Sequence, residues 1–141
     1  MSPDLWKFLQ QNIFLVAIAV VSGAMLIWPL LRRGAAGPTV DTLQATLLIN
    51  KEDALVLDVR EPAEYAAGRI VHSRNVPLAQ LANRLGELEK YKDKPIIVSC
   101  ASGNRSLSAA STLRKQGFAK VYNLAGGFGA WQQAGLPVER K

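Results

Sequence analysis

One cysteine stands five residues ahead of an arginine in Cys100-Ala101-Ser102-Gly103-Asn104-Arg105-Ser106, and these are residue types that could do chemistry. A thiolate is a nucleophile, and a thiol ionises more readily where N–H groups converge on it. The flanking sequence supplies that setting. Pro95-Ile96-Ile97-Val98-Ser99 is a β-branched run behind a proline, which predicts a buried strand. Leu107, Ala110, Leu113 and Arg114 recur at helical spacing as far as Gly117, a helix stop. Cys100 therefore falls where a strand ends, a loop of small residues turns and a helix begins. Loop and helix N–H groups there point at one spot and carry partial positive charge. Gly103 permits close backbone approach to a bound group. Arg105 adds a fixed charge and a planar fork suited to an oxyanion. An anion about 4 Å from a thiolate is repelled by about 4 kcal/mol at an effective dielectric near 20, and a nearby arginine offsets a term of that size. A lone cysteine is by default a packing residue. Its setting makes Cys100 the candidate nucleophile, with Ala101, Ser102, Gly103, Asn104, Arg105 and Ser106 as the substrate-binding loop.

The remaining elements have to hold that loop in place. Asp41 or Thr42 can cap a helix carrying Leu43, Leu47 and Leu48. Ala54 to Val59 is an apolar run ending in Asp58-Val59-Arg60, a second buried strand. Pro62 suits the first turn of a short helix that contains Tyr65 and closes at Gly68. Leu78, Leu81, Leu85 and Leu88 form an amphipathic helical stripe, read as core packing. Lys120 to Leu124 predicts another strand, and Gly126-Gly127 opens a last helix through Trp131, ended by Gly135-Leu136-Pro137. Trp131 and the glycine pair are expected to be a core anchor and a tight turn. Strands alternating with helices predict an α/β domain with a largely parallel sheet. Sites in such sheets form at the carboxyl ends of strands, where Cys100 and Asp58 both fall. In one reading Arg60 pairs with Glu64 at a helix start and Asp58 accepts loop N–H groups.

The amino-terminal end is different in kind. Met1 to Asn12 is a polar flank holding Asp4 and Lys7. Ile13 to Leu31 then carries no charge, with Ser22, Gly23 and Pro29 as its interruptions. As a helix these residues span about 28 Å, close to a hydrocarbon core of about 30 Å. Their eleven Ile, Leu, Val and Phe residues contribute roughly −3 to −7 kcal/mol to insertion. Trp6 and Trp28 sit at the two ends, where indoles favour the interface. A transmembrane helix over 13–31 is the expectation. A cleaved signal peptide would want small neutral residues where Arg32-Arg33 follow. Lys7 precedes the span and two arginines follow it, which places the carboxyl-terminal side in the cytoplasm. Residues 32–38, with Gly34-Ala35-Ala36-Gly37-Pro38, are expected to be a flexible linker.

Composition narrows the chemistry further. The 141 residues allow one domain and an appendage. One cysteine excludes an intrachain disulfide and a cysteine-cluster zinc site, and the single histidine, His72, excludes a multi-histidine metal site. No cofactor is called for. The net charge of +6 is spread among acids, so nucleic acid is not an expected partner.

With these pieces placed, the chain resembles the rhodanese family of sulfurtransferases. The matching segments are Leu57 to Pro62 with Glu64-Tyr65, Gly68-Arg69-Ile70, Asn75-Val76-Pro77, Cys100 to Ser106, Gly117-Phe118, and Leu124 to Gly127 followed by Trp131 and Gly135-Leu136-Pro137. They run from about Thr39 to Val138, so 39–141 is the rhodanese-like domain. The resemblance implies a central, mostly parallel five-stranded sheet flanked by helices. It implies a Cys100 that carries sulfane sulfur as a persulfide from a small anionic donor such as thiosulfate to cyanide, a thiol or a protein acceptor. It also suggests that Asp58 orients Arg105. The preceding span looks like that of membrane-anchored single-domain members. Arg69 replaces a histidine common after the glycine matched by Gly68, and His72 falls where a glycine is common. Nothing places His72 beside the thiol as a hydrolase dyad would need. A tethered persulfide carrier with little turnover is the alternative. Phosphatases and arsenate reductases use a related loop, with five residues between cysteine and arginine where this chain has four.

Overall fold

A computed structural model describes residues 2–140, and the side chains of all of these except 32–36. Met1 and Lys141, the outer ends of the expected flank and domain, lie outside the described residues. So do the side chains of Arg32 and Arg33, on which the expected orientation rests. The chain forms two compact units, residues 1–32 and 33–141.

In the first unit, α1 (Pro3–Gln11) precedes α2 (Ile13–Ala36), whose last four residues fall within the second unit. The segment Ile13–Leu31 of α2 is long and apolar enough to cross a membrane, and nearly all of its side chains are exposed rather than packed in a core. The helix runs on to Ala36, through most of the stretch expected as a flexible linker. Arg32, Arg33, Ala35 and Ala36 are strong helix formers and outweigh the cost of Gly34. The turn comes at Gly37, whose φ of +86° suits glycine.

The second unit comprises β1 (Thr39–Val40), α3 (Thr42–Glu52), β2 (Leu55–Asp58), α4 (Pro62–Ala67), β3 (Arg69–Ile70) and β4 (Arg74–Asn75). Two 3-10 helices follow at Leu78–Asn83 and Leu85–Tyr91. Then come β5 (Ile96–Ser99), α5 (Arg105–Lys115), β6 (Val121–Leu124), α6 (Gly127–Gln133) and β7 (Val138–Glu139). The main sheet has the order β1-β6-β5-β2-β4, and every pairing in it is parallel. The α/β fold with a parallel sheet is thus as the strand–helix pattern predicts, and its five strands are as the family resemblance implies. Strands β3 and β7 add a small antiparallel pair.

Pleating sorts the strand residues between two cores, because successive side chains point to opposite faces. Leu57, Val59, Ile96 and Val98 pack with Ala109, Ala110 and Leu113 of α5. Val56, Ile97 and Leu124 pack on the other face with Phe128 and Trp131 of α6. Cys100 continues the parity of Ile96 and Val98 and lies in the α5 core. The leucine stripe is not one α-helix. Leu78/Leu81 and Leu85/Leu88 are spaced by three, which matches the 3-10 repeat, and the helix breaks at Arg84. Leu81 and Leu88 are nonetheless fully buried, so the packing role holds.

Candidate active site

Three elements make the site: the end of β5, the loop that follows it, and the first turn of α5. Cys100 is 1% exposed. The Gly103 N–H donates to Sγ at 3.0 Å, and the thiol donates to Ser106 Oγ at 3.5 Å. Ser106 in turn donates to Asn123 Oδ1 on β6, and both residues are buried. Gly103 has a φ of +99°, and a Cβ there would stand 3.3 Å from the Gly126 nitrogen. A glycine is therefore required for the loop to fold back over its own sulfur.

Burial pushes the Cys100 thiol up. Hydrogen bonds from the Ser106 hydroxyl and from the backbone N–H groups of Ser106, Ser102 and Gly103 outweigh that, so its pKa lies below the ordinary 9.0. A hydroxyl has one proton. Ser106 accepts from the thiol while donating to Asn123, and serves a thiolate only by turning that proton toward sulfur. Ser106→Ala is accordingly expected to raise the pH midpoint of Cys100 alkylation and slow the reaction about 2- to 10-fold at neutral pH, the worth of one net hydrogen bond. Iodoacetamide rates across pH check this; an unchanged midpoint would remove Ser106 from the ionisation.

The back of the loop is held by α6. Phe128 N–H donates to Cys100 O at 2.7 Å, and Gly129 N–H donates to Ala101 O at 3.2 Å. Gly127 has a φ of +56°, and a Cβ there would lie 2.2 Å from Cys100 O. The glycine pair is therefore a turn, as predicted, and also the seat of the cysteine loop. Trp131 is buried, with its indole N–H donating to Pro137 O at 2.9 Å.

Asp58 does accept a loop N–H, as one reading expects, but the charged pairs differ from both readings. Among the described residues Asp58 makes no ion pair with Arg105, and Arg60 makes none with Glu64, on which it acts only by weaker through-space attraction. Asp58 pairs with Arg60 instead, with Arg60 Nη2 at 2.8 Å from Asp58 Oδ2 and at 2.7 Å from Gly68 O. The Arg60 backbone N–H also donates to Asp58 Oδ1 at 2.9 Å. Pleat parity is the reason: Asp58 follows Leu57 to the opposite face from α5. There the Arg60 guanidinium lies 4.4 Å from the Phe128 ring centroid. This buried pair supports the loop through Phe128.

Arg105 is held by Glu64 in a two-pronged contact, Nη1–Oε1 at 2.7 Å and Nη2–Oε2 at 2.9 Å. Glu64 Oε1 also accepts the Glu61 N–H at 3.1 Å, which fixes the carboxylate at the start of α4. The Arg105 guanidinium holds the Glu64 carboxyl at about 2; burial opposes this and the Glu61 N–H assists it. The pair is complete at neutral pH and is lost only as pH falls from about 4.5 toward about 2. Both side chains are 37% exposed, so the pair lies at the rim of the site. Ala101, Ser102 and Asn104 are also exposed there.

His72 lines a separate apolar cavity of about 230 Å³ with Trp131 and Leu136, and the cysteine loop contributes nothing to its walls. Among the described residues no cluster of His, Cys, Asp and Glu could hold a metal ion. Glu64 as the partner of Arg105, and Asn123, are the residues that sequence reasoning missed. Asn123 had a visible signal, a poor strand former inside Val-Tyr-Asn-Leu.

The family model for the rhodanese-like domain matches residues 40–134. The chain belongs to the rhodanese family. Sulfur transfer in general is its class of chemistry. It is 45% identical over 98 residues to the uncharacterized protein YibN of Escherichia coli K12, covering 69% of this chain and 68% of that one. It is 41% identical over 95 residues to the thiosulfate sulfurtransferase GlpE of Pseudoalteromonas translucida, covering 67% and 89%. A rhodanese-related protein from Thermoplasma volcanium superposes with a TM-score of 0.62 at 36% identity, over 74% of this chain and 99% of that one.

Proposed function

We propose that Cys100 is the sulfur-carrying nucleophile of a membrane-anchored thiosulfate sulfurtransferase. The thiolate attacks the outer sulfur of thiosulfate, the S–S bond of the donor breaks, and the bonding pair leaves with sulfite. The enzyme is left as the Cys100 persulfide anion. Cyanide or a thiolate then attacks the terminal sulfur, and the Cys100 thiolate is released together with thiocyanate or a new persulfide. Atoms and charge balance in both steps without a cofactor.

The observation that carries this reading is the Gly103 N–H aimed at Sγ at the amino-terminal end of α5, in a chain of the rhodanese family. The same convergence of N–H groups suits the terminal sulfur anion of a persulfide. Ala101, Ser102, Gly103, Asn104 and Ser106 wall the site, and Arg105 offers positive charge at its rim. The four residues between Cys100 and Arg105 favour a sulfur atom over a tetrahedral phosphate or arsenate ester. Steady-state thiocyanate formation from thiosulfate and cyanide tests the assignment. A second reading, a persulfide carrier serving a protein acceptor, draws support from Glu64, which occupies the arginine that a free anionic donor would use. Loading in a single turnover with negligible cycling would favour that carrier.

Residues 13–31 are assigned as the anchor, 32–38 as the connection and 39–141 as the catalytic domain, on the cytoplasmic side. Support comes from the uncharged span and from two arginines after it against one lysine before it. The expected result is that external protease leaves the domain intact in cells or spheroplasts and digests it in inverted vesicles. Digestion from the outside would reverse the orientation.

A further inference from the structure

Among the described residues the first helix leaves an apolar arc largely uncovered, with Leu5, Trp6 and Phe8 exposed and Leu9 half-buried. At 100° per residue, Leu5, Trp6, Phe8 and Leu9 of α1 fall within an arc of roughly 160°. Asp4, Lys7, Gln10 and Gln11 occupy the rest of the circumference. Trp6 and Phe8 are 54% and 58% exposed, and no residue of α1 is buried. A helix of nine residues is marginal alone in water, where about 12–15 residues are needed even for good formers. Yet both of its ends are finished. Ser2 Oγ accepts the Leu5 N–H at 3.4 Å, and Pro3 and Asp4 occupy the first turn. At the other end the Asn12 backbone N–H and its Nδ2 both donate to Phe8 O, at 3.1 and 2.9 Å. Asn12 itself leaves the helical path, with φ −118° and ψ 33°.

What covers the arc follows from what comes next in the chain. Ile13 begins the apolar span directly after Asn12. Its 19 residues fill a hydrocarbon core of about 30 Å unaided. There is no room for α1 inside the core, and no more than one residue separates it from the core's edge. An amphipathic helix at that depth, with an indole and a phenyl ring on one face, matches the headgroup–acyl boundary. Resting on the membrane reading above, we infer that α1 is an interfacial helix lying on the bilayer surface. Leu5, Trp6, Phe8 and Leu9 enter the lipid, and Asp4, Lys7, Gln10 and Gln11 face water. One acid and one base among these side chains make the attraction apolar rather than a matter of anionic lipid.

The test uses the full chain with Cys100→Ser, reconstituted in phosphatidylcholine vesicles. Single cysteines are introduced by Leu5→Cys, Lys7→Cys, Phe8→Cys or Gln11→Cys and labelled with an environment-sensitive fluorophore. The expected result is blue-shifted emission at positions 5 and 8, quenched by nitroxides near the lipid carbonyls, with positions 7 and 11 quenched several-fold more by aqueous iodide. Equal iodide quenching at all four positions in protein that resists alkaline carbonate would overturn the interfacial helix while leaving the span in place. Deep-acyl quenching at all four would make α1 part of the span and overturn it too. Release of the protein by carbonate would remove the span and the inference together.

Discussion

Cys100→Ser is expected to abolish thiosulfate–cyanide sulfur transfer, to the uncatalysed background, while leaving the fold intact. A serine hydroxyl can still accept the Gly103 N–H that now reaches Sγ, and the substitution removes little volume from the core around Val98 and Ala109. What it removes is the only atom in the chain that can form a persulfide, since no other cysteine is present. Activity and thermal denaturation should therefore separate: rate lost, Tm nearly unchanged. Residual transfer well above background in the serine variant would exclude the covalent route.

The second large effect belongs to Arg105. Arg105→Ala should lower donor kcat/KM about 10- to 150-fold, the equivalent of one charge-assisted contact of roughly 1.5–3 kcal/mol. Its pairing with Glu64 sharpens the expectation. Removing the arginine leaves an unpaired carboxylate facing the incoming anion, so the loss of attraction is joined by a new repulsion. Glu64→Gln should act in the opposite sense, raising donor kcat/KM several-fold by freeing the guanidinium. The double variant should recover part of the alanine loss, and the cycle measures the coupling. Arg105→Lys should also recover part, keeping charge but not the planar fork. Thiol acceptor use should fall much less than donor use. Equal losses in both half-reactions would instead make Arg105 a structural clamp on α4.

The cysteine loop was legible because its signals are local: a β-branched run, small residues, one glycine and a helical repeat lie within about twenty positions of sequence. The partners of the charged residues were not. Asp58, Arg60, Glu64 and Arg105 can be paired several ways on paper. The choice depends on which sheet face Asp58 points to and where α4 carries Glu64, both tertiary facts. The leucines from Leu78 to Leu88 showed their burial but not their helix type, because 3-10 and α spacing share the i,i+3 step. Strands β3 and β7 have two residues each, too few to show alternation. The short α1 was hidden by its polar termini, and the end of α2 by a glycine that a long helix tolerates.

The central claim is that sulfur rests on Cys100, and intact mass spectrometry reads it most directly. Purified protein incubated with thiosulfate should gain one sulfur atom, localised to the peptide containing Cys100, and should lose it stoichiometrically on addition of cyanide as thiocyanate appears. An unchanged mass after thiosulfate, in protein whose Cys100 still alkylates, would contradict the account.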